Sequence, residues 1–223
     1  MPATSRGRID KREAILDAAF TVFAREGYTP ATVDAIAAEA KVAKHTVYSH
    51  FRDKKTLLQE AIAAEADRAL AKNLAVVERL REPGDDLRAA LEGVGDRLLE
   101  CYCDSRSWAL RRLLFAEVGQ FPELLEIIRG RAFDPVTEAL ADRFARLALA
   151  GRLRTAEPAQ AAEQYAALLT GSMDNRARLG TREVPAAELR QVARDAVSTF
   201  LAAFGPVDRP AAAADAASRP GSV

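Results

Sequence analysis

Apolar residues recur at three- and four-residue spacing along almost the whole chain, and no segment alternates strictly between apolar and polar side chains. The observed spacing is typical of amphipathic α-helices, whereas alternation would have indicated strands. Proline and glycine residues separate the periodic segments. The sequence therefore predicts an all-α fold, with helices near residues 9–26, 33–40, 44–51, 54–81, 86–103, 107–119, 122–130, 134–150, 158–179 and 186–204.

The composition is that of a soluble globular protein. Of the 223 residues, 49% are hydrophobic and 29% are charged. Uncharged apolar runs are too short for a membrane span. The first residues, MPATSRGRID, contain no apolar core of a secretory signal. We therefore expect a cytoplasmic protein that does not enter a membrane.

Catalytic and metal-binding residues are scarce. The only histidines are His45 and His50, and the carboxylates after them are scattered without metal-ligand spacing. Cys101 and Cys103 lie about 200° apart on a helix and cannot share a metal ion. We expect no enzyme activity, no metal and no cofactor. For the cysteines we expect one buried and one half-exposed thiol, with redox sensing as the alternative.

Two of the predicted helices, 33–40 and 44–51, are too short to be stable alone. Only three residues, Lys41 to Ala43, separate them. Thr32 is a suitable N-cap for the first helix, and Val47 and Phe51 supply buried contacts for the second. Two short helices joined by such a turn describe a helix-turn-helix. With the helix before them they form a three-helix head of about 50 residues.

The second short helix turns a polar face outward once its apolar residues are buried. A cation, two imidazoles, two hydroxyls and a phenol suit phosphate oxygens and base edges of DNA, although a merely polar surface is the alternative. In the next helix, Lys54 and Lys55 follow the predicted N-cap Asp53 and oppose the helix dipole. A bound phosphate would resolve that conflict, and two solvated lysines are the alternative. The outward residues are Lys44, His45, Thr46, Tyr48, Ser49 and His50.

Residues 15–62 closely resemble the DNA-binding head of TetR-family transcriptional regulators. The resemblance implies an all-helical homodimer that binds a palindromic operator and carries a divergent bundle that senses a small molecule. The segment LLFAEVGQFPELLEII, residues 113–128, is similar to the AefR-like C-terminal subgroup. The residues that carry the resemblance in the head are Phe23, Gly27, Thr32, Ile36-Ala37, Thr46-Val47-Tyr48, His50-Phe51, Lys54 and Leu57-Leu58.

The resemblance also implies roles for single residues. By position, Thr32, Tyr48, His50 and Lys54 would contact phosphates. Lys44, His45, Thr46 and Ser49 would face bases.

The chain departs from the family pattern at two positions. Family members usually have glycine at the position of Lys41, where a left-handed lysine would cost about 1–2 kcal/mol. They also usually have a hydroxyl residue at the position of Ala43, whose absence would cost about 0.5–2 kcal/mol. Both departures affect the angle at which the second short helix enters the groove.

Three segments follow from these patterns. Residues 1–53 are predicted to form the DNA-binding helix-turn-helix domain, with a basic arm at 1–12. Residues 54–204 are predicted to form a ligand-binding and dimerisation bundle. Residues 205–223 are rich in alanine, proline, glycine and serine and are predicted to be disordered. Wide apolar faces on the last two helices predict a homodimer through residues 158–204.

Apolar and aromatic stripes in the bundle predict a pocket for a small, apolar effector, with a filled core as the alternative. The candidate ligand-binding residues are Leu98, Tyr102, Trp108, Arg112, Phe115, Phe133, Leu140, Phe144, Tyr165, Met173 and Asn175.

The favoured function is a sequence-specific transcriptional regulator, a repressor that releases its operator when the effector binds. A DNA-binding organiser of the same dimeric architecture that takes no ligand is the alternative. An α-helical enzyme with an incidental helix-turn-helix is disfavoured by the lack of histidine beyond the head.

Overall fold

The computed structural model describes residues 3–206, with side chains from Asp10 onward. The described residues form α-helices and no strands, which confirms the all-α prediction. None of these helices combines the length and the apolar character that a membrane crossing requires. The predicted disordered tail lies outside the described residues from position 207 on.

Eleven α-helices follow one another in the described part of the chain. A 3-10 turn at Glu78–Arg81 extends the fourth, and a π-turn at Arg129–Phe133 joins the seventh to the eighth. The helices are α1 (Ala3–Glu26), α2 (Val33–Glu39), α3 (Lys44–His50), α4 (Lys54–Val77), α5 (Leu87–Tyr102), α6 (Ser105–Glu117), α7 (Glu123–Ile128), α8 (Asp134–Leu149), α9 (Pro158–Thr170), α10 (Met173–Arg176) and α11 (Ala186–Phe204).

Side-chain caps fix where several helices begin. The side chains of Thr32, Asp53, Asp86 and Asp104 each accept a hydrogen bond from the backbone N–H three residues later, at 2.7–3.1 Å. Each cap satisfies one of the amides that a helix start leaves without a partner. The predicted caps at Thr32 and Asp53 are therefore confirmed.

Two predicted helix bounds are wrong. The first helix begins at Ala3 rather than near residue 9. The helix predicted over 158–179 ends at Thr170, and only the single turn α10 follows it. Gly171 and Ser172 lie at the break, and both have low helix propensity, so the apolar periodicity on either side does not hold the helix together.

The described residues bury two hydrophobic clusters. One contains α1, α2, α3 and the first half of α4, and it also includes Leu110, Leu113 and Leu114 of α6. The other lies among α5, α8, α9 and α11. Packing therefore does not divide at the predicted boundary between residues 53 and 54, because the start of α4 and much of α6 complete the core of the head.

Three aromatic rings fill the centre of the second cluster. The ring centroids of Phe144, Tyr165 and Phe200 lie 5.2–5.6 Å apart, and each of the three side chains is fully buried. The Tyr165 hydroxyl donates a hydrogen bond to the backbone carbonyl of Leu91 at 2.7 Å. Burial raises the pKa of this phenol, which therefore stays protonated. The bond ties α9 to α5.

We predict that Tyr165→Phe lowers the free energy of unfolding by about 1 kcal/mol, because it removes a buried hydrogen bond and keeps the ring. Urea denaturation at a fixed protein concentration measures the change. Tyr48→Phe is the matched control, since the Tyr48 side chain is 50% exposed, and it should leave stability unchanged. Equal stability of the two variants would contradict a stabilising role for the bond between Tyr165 and Leu91.

Candidate nucleic-acid interface and ligand cleft

Helix α3 presents the predicted polar face to solvent. Val47 and Phe51 are 1% and 2% exposed and anchor the helix in the core of the head, as predicted. The remaining residues of α3 line its outer side. Lys44, His45, Tyr48 and Ser49 are exposed, while Thr46 and His50 are half-buried.

The turn before α3 has the two departures noted in the sequence. Lys41 adopts a left-handed backbone with φ of 55°, and Ala43 gives α3 no side-chain cap. Lys44 partly compensates, because its ammonium lies 2.8 Å from the Asp34 carboxylate and joins α3 to α2. This hydrogen bond raises the pKa of Lys44. An exposed ion pair therefore links the start of α3 to α2, where a side-chain cap is missing.

Two hydroxyls of the predicted interface are oriented by bonds within the head. Thr32 Oγ1 accepts from the Ala35 N–H at 3.1 Å, so its own hydrogen remains available to a phosphate oxygen. Ser49 Oγ donates to the Thr46 carbonyl at 2.7 Å. Only its lone pairs then face outward, and they suit amino groups of adenine or cytosine.

Lys54 faces the protein and not the solvent. Its ammonium donates to the backbone carbonyls of Tyr28, Thr29 and Ala31 at 2.8, 3.2 and 3.0 Å. It also lies 4.3 Å from the centre of the Tyr28 ring. All three N–H groups are occupied, which argues against the predicted phosphate contact of Lys54. The carbonyl oxygens of the loop between α1 and α2 offset the unfavourable interaction between the Lys54 ammonium and the helix dipole at the start of α4.

That loop is held from its other side by α6. The buried carboxylate of Glu117 accepts a hydrogen bond from the Tyr28 N–H at 2.8 Å. The Tyr28 ring packs edge-on against Phe121, with the centroids 4.7 Å apart. The end of α6 and the residues after it therefore grip the backbone that connects the first two helices of the head.

A second polar contact joins the bundle to α1. Arg106 of α6 binds Glu65 of α4 through Nε and Nη2 at 2.8 and 2.6 Å, and Nη2 also lies 2.8 Å from Asp17 of α1. Arg68 Nη1 binds both carboxylates as well, at 3.1 Å from Asp17. The hydrogen bonds that Arg106 donates to Glu65 raise the pKa of this guanidinium, so it remains charged. We call Asp17, Glu65, Arg68 and Arg106 the junction network.

Six of the eleven predicted ligand-binding residues do not line an internal cavity. Leu140, Phe144, Tyr165 and Met173 are fully buried side chains of the bundle core. Phe115 and Phe133 point outward and are 60% and 55% exposed. The sequence stripes identify buried faces correctly for the first four, but the prediction that Phe115 and Phe133 line an internal pocket is wrong.

Two of the other predicted residues, Tyr102 and Trp108, contact an internal cation. The guanidinium of Arg111 lies 3.8 Å from the centre of the Tyr102 ring and 3.9 Å from that of Trp108. Burial lowers the pKa of Arg111. Leu98 is half-buried beside this core, whereas Arg112 and Asn175 are exposed. The aromatic pair therefore already holds a cation from its own chain.

A cleft of about 270 Å³ opens between α4 and the junction of α5 with α6. Its volume is slightly below the usual range for small-molecule sites. None of the predicted ligand-binding residues belongs to its lining. The lining residues are Glu65, Arg68, Ala69, Ala71, Lys72, Cys101, Asp104, Arg106, Ser107 and Leu110.

The two thiols are poorly suited to redox sensing. Both side chains are half-buried, rather than one buried and one half-exposed as predicted. Burial raises the pKa of Cys101 and raises the pKa of Cys103 to about 11. The reactive thiolate is therefore scarce near neutral pH. No group of three potential metal ligands was found among the described residues.

Comparisons with known families agree with the two halves of the fold. Residues 15–61 match a family model described as bacterial regulatory proteins of the tetR family. Residues 89–206 match a model described as the C-terminal domain of AefR-like transcriptional repressors.

Individual relatives extend the comparison. A TetR-family transcriptional regulator from Mesorhizobium loti MAFF303099 is 29% identical, with a TM-score of 0.83 over 89% of this chain and 98% of that one. The flavonoid-responsive regulator FrrA is 25% identical, with a TM-score of 0.70 over 88% and 98%. The nicotine-responsive repressor HdnoR of Paenarthrobacter nicotinovorans is 34% identical over 40% of this chain and 43% of its own. The curated relatives match over less than half of their length.

We predict that Lys54→Ala lowers the free energy of unfolding by about 2 kcal/mol, because three charge-assisted hydrogen bonds to the loop are lost. It should leave the salt dependence of DNA binding unchanged. Lys41→Ala is the comparison. Lys41 is exposed and available to a phosphate oxygen, so this substitution should reduce the slope of the salt dependence of DNA binding by about one unit. Denaturation and titrations at several salt concentrations measure both effects. A reduced slope for Lys54→Ala would return Lys54 to the phosphate contacts.

Proposed function

This chain belongs to the TetR family of DNA-binding transcriptional regulators, and from this premise we propose that it is a ligand-responsive repressor. Family members are regulators and not enzymes, bind DNA operators and act as dimers. In our proposal a small, apolar molecule binds the bundle and lowers the affinity of the dimer for a palindromic operator.

The proposed DNA-binding surface is the outer side of α3 with the start of α2. Lys44, His45, Thr46 and Ser49 would face bases. Thr32, Tyr48 and His50 would contact phosphates, and the exposed Lys41 is a further candidate. These are the residues whose polar groups are turned away from the core of the head.

The observation that carries the ligand response is the position of α6. This helix contributes Leu110, Leu113 and Leu114 to the core of the head, and its Glu117 holds the loop at Tyr28. Its other end begins at the cleft. A ligand that shifts α6 would therefore act directly on the core that positions α3.

The names of two relatives support the same proposal. HdnoR is a nicotine-responsive repressor and FrrA is a flavonoid-responsive regulator. Both therefore respond to a small organic molecule. Their ligands differ in chemistry, so they support a ligand response for this chain without naming its ligand.

The ligandless DNA-binding organiser is the second candidate, and one observation favours it. Phe144, Tyr165 and Phe200 fill the centre of the bundle, where the sequence stripes had predicted a pocket. The cleft beside α4, at which α6 begins, favours the ligand response instead.

Selection of bound fragments from genomic DNA tests the function. The full-length protein should enrich sites with inverted repeats whose half-sites lie about one helical turn apart, about 34–36 Å. The isolated operator complex is then challenged with small organic molecules. Release by at least one of them supports the repressor. Operator affinity that no compound changes would favour the organiser.

We also propose that the dimer forms through α9 and α11. Leu168 and Thr199 lie on exposed faces of these helices and border a groove of about 370 Å³ with Phe204. Phe200 belongs to the same helix but is fully buried in its own core. A charge at Phe200 would therefore disrupt the fold itself, and the interface is better tested at the exposed residues.

We predict that Thr46→Val reduces the preference for operator over scrambled DNA by about 1 kcal/mol, a factor of about five, because one hydroxyl contact to a base is lost. Tyr48→Phe also removes one hydroxyl, but this hydroxyl is proposed to contact a phosphate. The substitution should therefore weaken binding to operator and to scrambled DNA equally. Fluorescence anisotropy with the two duplexes measures both. An unchanged preference in Thr46→Val would remove Thr46 from the base contacts.

We predict that Leu168→Glu yields a folded monomer with weak operator binding, because a charge would be buried at the proposed interface. Leu149→Glu is the matched control, since Leu149 on α8 is 90% exposed, and it should remain dimeric. Sedimentation gives the oligomeric state and circular dichroism checks the fold. A folded, dimeric Leu168→Glu variant would place the interface elsewhere.

A further inference from the structure

We propose that the cleft between α4 and the junction of α5 with α6 binds a small organic molecule with a single carboxylate, and that binding loosens α1 from α4. The proposal rests on the ligand response proposed above and deepens it. It assigns the apolar effector a carboxylate, a binding site in this cleft and a path by which its binding affects the head.

The cleft combines an apolar floor with a cationic edge. Ala69, Cys101 and Leu110 supply carbon and sulfur surface, which suits a short hydrocarbon or one aromatic ring. Arg68 and Lys72 stand one turn apart on α4 and border the same space. At that spacing two side chains on a helix are neighbours, so both cations can reach one carboxylate.

Both cations keep donors for a ligand. Among the described residues, Arg68 donates only through Nη1, so its Nε and Nη2 remain available. Lys72 makes one hydrogen bond, to Asp104 at 3.2 Å, and its side chain is 58% exposed. A planar carboxylate can take a second N–H of the guanidinium and a second proton of the ammonium at once.

The unoccupied donors of the lining favour an anion. Arg68, Lys72 and Arg106 are balanced in charge by Glu65 and Asp104 of the lining and by Asp17 of α1, which accepts from both arginines. Both oxygens of Glu65 already accept hydrogen bonds from Arg106. Asp104 caps α6 and binds Lys72. A cationic ligand therefore finds its possible partners occupied, whereas a monoanion finds free donors.

Arg68 connects this cleft to the head. The same Nη1 that borders Glu65 lies 3.1 Å from Asp17 of α1. A ligand carboxylate bound at Nε and Nη2 draws this guanidinium toward the cleft and away from Asp17, so its binding weakens one of the two arginine contacts that hold α1. Arg106 maintains the other contact. Because α1 forms the core against which α3 packs, the ligand and the operator favour different states of the junction network.

The test uses the full-length dimer with benzoate, octanoate and benzamide, the last being neutral but shaped like benzoate. Calorimetry should detect saturable binding of benzoate or octanoate and none of benzamide. Trp108, the only tryptophan, is next in sequence to Ser107 of the lining, so its fluorescence gives a second readout. Failure of both carboxylates to bind overturns the proposal.

Variants locate the binding. Lys72→Gln should weaken carboxylate binding at least about tenfold, and Lys72→Arg should restore much of it, because the positive charge returns. Arg79→Gln removes an exposed positive charge farther along, just beyond the end of α4, and should have no effect. Equal affinity of Lys72→Gln and the unaltered protein would overturn the site.

Operator binding tests the coupling. The carboxylate that binds should lower operator affinity about 5–150-fold, and operator should weaken carboxylate binding by the same factor. Binding without any change in operator affinity would overturn the route through Arg68. Release of the operator by a different molecule, equally in Lys72→Gln and the unaltered protein, would overturn the cleft as the effector site while leaving the ligand-responsive function intact.

Discussion

The packing of α6 against the head is the constraint on which the rest of the structure depends. Helices α2 and α3 have seven residues each and cannot be stable without a surface to pack on. Helix α1 and the first half of α4 supply most of that surface, and α6 completes the same core with three leucines and holds the loop before α2 through the hydrogen bond that Glu117 accepts from the Tyr28 N–H. The DNA-binding head and the bundle therefore share a core, and a change in one is a change in the packing of the other.

Local sequence signals were sufficient for the helices and for several of their ends. The caps at Thr32 and Asp53 depend on atoms three residues away, so the chain order itself reveals them. Comparison with the family pattern identified Lys41 as the position where a left-handed backbone would be strained. The contacts of the junction were beyond such reasoning, because Tyr28 and Glu117 are 89 residues apart. Nothing in either neighbourhood indicates that the two will meet.

The predicted ligand-binding residues show a different limit. An apolar stripe states which face of a helix turns inward, and it does so correctly for Phe144 and Tyr165. The stripe does not indicate whether the space beside that face is filled, because the filling depends on side chains from three helices at once. The sequence pattern does not indicate the cleft, because charged residues border it. Arg68 and Lys72 look like ordinary surface residues in sequence, and only the approach of α6 makes them part of a concave site.

The environment of Lys54 has a consequence for which amino acids the position can accept. Three carbonyl oxygens converge on one nitrogen, which matches the pyramidal arrangement of hydrogens on an ammonium group. A guanidinium is flat and its hydrogens are spread over three nitrogens. No single nitrogen of arginine could therefore donate to all three carbonyl oxygens at once. The chain uses arginine for 26 of its 32 basic residues, yet lysine stands here. Shape as well as charge therefore distinguishes the two basic side chains at the base of the DNA-binding head.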